Sequence, residues 1–232
     1  MFKEILTSVG SSFRYFVYKL KLFCMISGAL VDCIKTIANG DHTSERDFDL
    51  IFPPLVRKLS RVHWTPLAAA QRACQLLVKS SGDKVLDIGS GSGKLCLVGA
   101  LTTKGSFTGV EKDRELVRTA KKITQEHKIE RVRFVHGNAF DLNWAEYDAL
   151  YLYNPFANDL EIKKESLHHI TVREDTYVQL VNLTIFKLGE LPAGIRIVTY
   201  HGFGGEMPPN IIQESSEIIG TGVLQLWLTV RR

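Results

Sequence analysis

Cysteine is scarce in this chain: four in 232 residues, Cys24, Cys33, Cys74 and Cys96, with no CxxC pair among them. That count and spacing exclude a disulfide framework and a zinc knuckle. Each cysteine stands in an apolar context, where it behaves as a small hydrophobe, so a reduced, cytoplasmic protein is expected. Long apolar runs are also missing. The longest stretch of interest, Leu22 to Val31, follows Lys19 and Lys21 and has about half the length that spans a bilayer. It has neither the leading charges nor the small-residue cleavage site of a signal peptide. An amphipathic helix without membrane attachment is the expectation there. No charge of one sign dominates either: 29 Lys and Arg face 25 Asp and Glu, a net of +4, which demands no acidic partner. His168-His169 are adjacent rather than four apart, so no metal site is expected. There is no internal repeat and no low-complexity run.

What is present is one α/β domain's worth of sequence with an extension. From residue 84 onward the pattern alternates. Strand-like runs cover Lys84 to Ile88, Ser106 to Val110, Val132 to Val135, Ala149 to Tyr153 and Ile195 to Tyr200. Helical runs lie at Lys94 to Thr103, Arg114 to His127 and about Val172 to Phe186. Such alternation predicts a parallel, doubly wound sheet with right-handed crossovers. The tail breaks the pattern: Ile211 to Ile219 and Val223 to Val230 flank Gly220-Thr221-Gly222, which reads as an antiparallel hairpin. Residues 1–60 stand outside the alternation, interrupted at Asn39-Gly40-Asp41 and Pro53-Pro54, and are expected to form an N-terminal helical extension to a domain over 61–232.

The most informative stretch is Val85-Leu86-Asp87-Ile88-Gly89-Ser90-Gly91-Ser92-Gly93-Lys94. A buried strand runs into glycines on alternate positions, where positive φ and the missing Cβ let a ligand lie against the backbone. The helix expected from Lys94 would aim its first N–H groups at that ligand. A P-loop is excluded, because its first glycine falls on Ile88 and the residue after Lys94 is Leu95 rather than Ser or Thr. The dinucleotide fingerprint needs a small residue where Lys94 stands. The pattern acid-x-Gly-x-Gly-x-Gly fits at every position.

That pattern resembles the first motif of the class I S-adenosylmethionine-dependent methyltransferases, and the terminal hairpin resembles the end of their sheet. The resemblance implies a three-layer sandwich around a seven-stranded, mostly parallel sheet. It also implies S-adenosylmethionine as cofactor, held by Asp87, Gly89, Ser90, Gly91 and Gly93. A ribose-binding acid is required some 20 residues on, and Glu111 meets it after the strand Phe107 to Val110, with Lys112 beside it. The adenine would lie near Asn138, Ala139 and Phe140; most family members carry an acid at the first of these, and the Asn138 oxygen can accept in its place. Asn154-Pro155-Phe156 resembles the Asn/Asp-Pro-Pro-aromatic turn of methyltransferases that act on amides and exocyclic amines, less one proline. It supplies the candidate catalytic residues, with Asn154 also touching the cofactor. Trp64 and Thr65 are expected to close over the methionine end, and Thr65 to cap the following helix with Pro66 at its first position. His201, after the fifth strand, is a candidate proton acceptor. The basic run Arg114, Arg118, Lys121, Lys122, Lys128, Arg131 and Arg133 reads as a solvated face.

The expected activity is methyl transfer to an unidentified acceptor. A protein side chain is favoured, because no large insertion encloses the sheet's edge. RNA and small molecules are the alternatives, and a non-catalytic binding module is the rival of another class.

Overall fold

A computed structural model gives the structure of the chain and describes residues 33–58, 64–156 and 167–231. The run Leu22 to Val31, Lys19, Lys21, Cys24 and the start of the segment before Trp64 lie outside these residues, as do the side chains of His168 and His169. The ordered elements are α1 (Glu45–Asp49), α2 (Pro54–Arg57), α3 (Leu67–Leu77), β1 (Lys84–Ile88), α4 (Lys94–Thr102), β2 (Ser106–Glu111), α5 (Arg114–Glu126), β3 (Val132–His136), β4 (Ala149–Leu152), α6 (Leu167–Gly189), β5 (Arg196–Tyr200), β6 (Ile211–Ile219) and β7 (Gly222–Thr229).

The strands form one seven-stranded sheet in the order β3-β2-β1-β4-β5-β7-β6. All pairs from β3 to β5 are parallel, while β7 runs antiparallel to both β5 and β6. The central strands are buried on both faces, so their sequences are continuous rather than alternating: Val85 to Ile88 and Ala149 to Leu152 are all buried. The outermost strand, β6, alternates toward solvent and carries a bulge between Gln213 and Ser215, a device that blunts an exposed edge. Order reverses between β1 and β4, and at such a switch point the strand ends open a crevice.

Helices cover both faces. On one, α3 and α4 bury Ala69, Ala70, Ala73, Cys74, Leu95, Cys96, Leu97 and Val98 with Phe48, Phe52 and Trp64 from the preceding segment. Alanine along α3 allows close approach to α4, and Gly99 does the same for α4 on the sheet, since a Cβ there would lie 2.1 Å from the Phe107 ring. On the other face α6 packs Val181 and Leu188 against Leu86, Ile88 and Leu152. The amphipathic α5 is capped by Asp113, which accepts from the N–H groups of Glu115 and Leu116. Its basic residues are solvent-facing and partly paired with their own helix, Arg118 to Glu115 at 2.9 Å and Lys122 to Glu126 at 3.6 Å.

Two local readings are corrected. Thr65 does not cap α3: the helix starts at Leu67, Pro66 takes the cap position, and the Leu67 N–H is received by a carboxylate oxygen of Glu45 at 2.5 Å. The Thr65 hydroxyl turns inward because the Tyr151 hydroxyl, 86 residues away, waits there at 2.8 Å. Helix α6 is also longer than the sequence pattern suggests, running from Leu167 to Gly189.

Candidate active site

The three glycines after β1 all have positive φ, at +75° for Gly89, +54° for Gly91 and +86° for Gly93, yet they face different surroundings. A Cβ at Gly89 would lie 3.0 Å from Pro155 Cβ, and one at Gly93 2.4 Å from Phe134 Cζ. At Gly91 it would meet nothing within 4 Å. Gly89 and Gly93 therefore pack the loop onto β4's end and β3, while Gly91 is the open floor. Gly93 leads into α4 with no side-chain cap, leaving the helix's first N–H groups without a side-chain acceptor. The Ser90 and Ser92 hydroxyls are buried with no hydrogen-bond partner among the described residues.

Glu111, at the end of β2, spans the loop: one carboxylate oxygen accepts from the Gly91 N–H at 2.9 Å and the other from the Asp113 N–H at 2.9 Å. Lys112 beside it is exposed, and its carbonyl lies 3.2 Å from the His136 ring. The open floor at Gly91, the two orphaned hydroxyls and a half-buried carboxylate with remaining acceptor capacity fit a nucleoside with a vicinal diol. They do not fit a triphosphate, because Lys94 is already taken. Its ammonium is buried between Glu45 and Asp49, 2.6 Å from the latter, and lies 5.4 Å from the Trp64 ring.

Asp87, beneath the loop, is buried and accepts a weak bond from the Cys96 thiol at 3.4 Å. Burial pushes its carboxyl up to about 7; the Cys96 contact opposes that rise and the nearby Glu111 carboxylate adds to it. Tyr151 and Cys96, in the same cluster, are pushed well up by burial.

Beyond β3, the Asn138 oxygen accepts from the Phe140 N–H at 3.1 Å and so shapes the turn through Ala139. Phe140 stacks on Trp144 (5.8 Å) and on Phe156 (5.9 Å). Two expected residues from the turns that follow β3 and β4, Phe140 and Phe156, thus form one aromatic wall. Its backbone is held by Lys187, which donates to the Phe140 and Leu142 carbonyls at 2.5 and 2.9 Å.

Asn154 sits just past β4 with φ +36°, and His201 just past β5 with φ +58°. Left-handed backbone is costly for such residues and clusters at functional sites. The two are tied, since the Asn154 N–H donates to the Gly202 carbonyl at 2.9 Å. Tyr153 stands 5.8 Å from the His201 ring and 5.3 Å from Tyr200. Pro155, against Gly89, places Asn154 next to the loop. Thr65 and Trp64 lie deeper: Thr65 on Tyr151, and Trp64 against Phe52 at 4.5 Å.

The structure therefore brings the loop, Glu111 and Asn154-Pro155-Phe156 to one edge of the sheet. Sequence reading overlooked Glu45, Asp49, Tyr151, Tyr153 and Tyr200. The only signal for the first pair was a lysine at a position that had to be buried.

A family model described as a methyltransferase domain matches residues 79–225. No curated protein matches the chain in sequence. Among solved structures, the chain is similar to an RNA methyltransferase from Salinibacter ruber in complex with S-adenosyl-L-homocysteine, at 20% identity and a TM-score of 0.52, over 73% of this chain and 95% of that one. It is similar to TrmN from Thermus thermophilus, at 20% identity and 0.53, over 76% and 52% of the two chains. It is also similar to the putative methyltransferase yhhF from Escherichia coli, at 18% and 0.50, over 71% and 88%. These likenesses share the fold.

Proposed function

The chain belongs to the methyltransferase-domain family, and we propose that the acceptor of this S-adenosylmethionine-dependent methyltransferase is a protein side chain. The observation that carries the reading is the neighbourhood of Asn154. Among the described residues, the groups around it are Tyr153, Pro155, Phe156, His201 and Gly202, aromatic or apolar rather than lysine or arginine. A nucleic-acid acceptor calls for Lys and Arg to neutralise phosphates, and the basic residues of α5 are instead solvated and interleaved with acids.

When bound, S-adenosylmethionine supplies a methyl group on a positively charged sulfur, which departs as a neutral thioether. The protein's part is alignment, and holding the reacting groups in one geometry removes most of the entropic barrier. Gly91 admits the cofactor to the backbone. Glu111 accepts from the ribose hydroxyls. Asn154 offers its carboxamide oxygen to the acceptor, orienting a lone pair toward the methyl group. A protonated acceptor needs a base, and His201, whose neighbour Gly202 accepts from the Asn154 N–H, is the candidate. We further propose that residues 1–60 act as an extension to this domain and that the protein works in the cytoplasm.

The RNA reading draws on the similarity to the RNA methyltransferase from Salinibacter ruber. Methyl-tritiated cofactor incubated with the protein and a cell extract separates the two. Label that protease releases and ribonuclease leaves, and that Asn154→Ala loses, supports the protein acceptor. Label confined to RNA overturns it.

A further inference from the structure

The turn after β3 cannot hold its own shape. Its one-turn helix, Ala139–Asp141, has three residues, and so short a piece takes its stability from outside. The support is a lysine on another element. Lys187 lies in the last turn of α6, where a lysine ordinarily bonds the final carbonyls of its own helix. Its ammonium instead reaches the Phe140 and Leu142 carbonyls at 2.5 and 2.9 Å, across 47 and 45 residues of sequence. It also lies 5.4 Å from the Trp144 ring. Trp144, buried, donates its indole N–H to the Ala139 carbonyl at 2.9 Å.

Peptide planes carry this hold inward. A trans peptide fixes a carbonyl and the next residue's N–H as one rigid unit, pointing opposite ways. The Phe140 carbonyl on Lys187 therefore sets the Asp141 N–H, which donates to the Asn138 carbonyl at 3.1 Å. That carbonyl shares its plane with the Ala139 N–H, which opens the short helix and has no acceptor within it. In the same way the Ala139 carbonyl on Trp144 sets the Phe140 N–H, which donates to the Asn138 side-chain oxygen at 3.1 Å. The Ala139 N–H and the Asn138 oxygen are thus both aimed by contacts that end on Lys187 and Trp144.

We propose that Lys187 is a positioning residue for the cofactor's base: from α6 it sets the turn so that a donor at Ala139 and an acceptor at Asn138 stand side by side. This rests on the seating of the adenine at that turn. Adenine offers the complement, a ring-nitrogen acceptor beside an amino donor. Hypoxanthine offers the reverse, a ring N–H beside a carbonyl, and sets donor against donor. The turn discriminates between the two bases only while α6 holds it.

The test is calorimetry of S-adenosylhomocysteine against S-inosylhomocysteine, which differ only at the base. The parent should favour the first at least about tenfold, because mismatched polar groups go unpaired. Lys187→Met keeps the stem and drops the donors, and should bring the ratio to within about threefold. Lys187→Arg should restore most of it. Glu111→Ala, at the ribose, should weaken both ligands and keep the parental ratio. A general loss of stability weakens both ligands alike, so the ratio separates positioning from folding. Trp144→Phe keeps a ring without the indole N–H; it should lower the ratio too, and supplies the readout where Lys187→Met fails to fold. A parental ratio kept by Lys187→Met and Trp144→Phe, however weakly they bind, overturns the inference and leaves the seat intact. A parent that binds both ligands alike overturns it together with the base's place at the turn. Binding of neither ligand overturns the cofactor reading beneath it.

Discussion

A Cβ at Gly91 would project into open space, whereas at Gly93 it would collide with the Phe134 ring. The two alanine variants should therefore separate binding from folding. Gly93→Ala forces overpacking on top of left-handed strain and should cost about 2–4 kcal/mol, lowering the melting temperature by roughly 5–15 °C. Gly91→Ala carries only the strain, about 1 kcal/mol, and should melt close to the parent while losing most affinity for the cofactor. Thermal melts beside calorimetry check both. Glu111→Ala removes a charged acceptor and should weaken cofactor binding at least about tenfold, since such bonds contribute about 1.5–3 kcal/mol. Unchanged affinity would remove Glu111 from the ribose. Asp87 gives the stability of the free protein a pH slope. Its carboxyl is raised from 3.8 to about 7 in the folded state, so folding is unpenalised below about pH 4 and loses stability as pH rises toward 7. The span is roughly 4 kcal/mol. Asp87→Asn should flatten that part of the profile in melts taken from pH 4 to pH 8.

Between elements, the ion pairs at Lys94 hold the segment before the domain onto the glycine loop. Glu45 on α1 bonds both Lys94 and the Leu67 N–H at the start of α3, so one side chain ties α1, α3 and α4 together. Breaking a buried pair from one side leaves uncompensated charge at about 3–5 kcal/mol. Lys94→Met should destabilise by that order, and the triple change with Glu45→Gln and Asp49→Asn should recover most of it in denaturant unfolding. The elements themselves were largely legible. Lys84–Ile88 was readable residue for residue because the buried positions of a central strand are consecutive, here Val85 to Ile88 running into the glycines, and the hairpin because Gly220-Thr221-Gly222 marks its turn. The start of α3 was not. Local sequence offers Thr65 as a cap, but a carboxylate 22 residues earlier and a phenol 86 residues later compete for the same groups. Periodicity carries no information about partners at such distances.

On the scale of the whole molecule, the switch point between β1 and β4 explains why residues as far apart as Gly89, Glu111 and Pro155 meet. Pairing of Ile88 with both Val110 and Leu152 aligns the strand ends, and the loops beyond them must then share one crevice. That convergence was readable as an ordered series of motifs. The ties within it were not: the Asn154 link to Gly202 and the Phe140–Phe156 wall depend on backbone turns that residue types alone do not fix. A crystal structure of the complex with S-adenosylhomocysteine tests the account most directly. The account predicts the ribose hydroxyls within hydrogen-bonding distance of the Glu111 carboxylate, the amino-acid portion over Gly91, and the sulfur facing Asn154. A ligand bound elsewhere, or seated with its ribose away from Glu111, would contradict it.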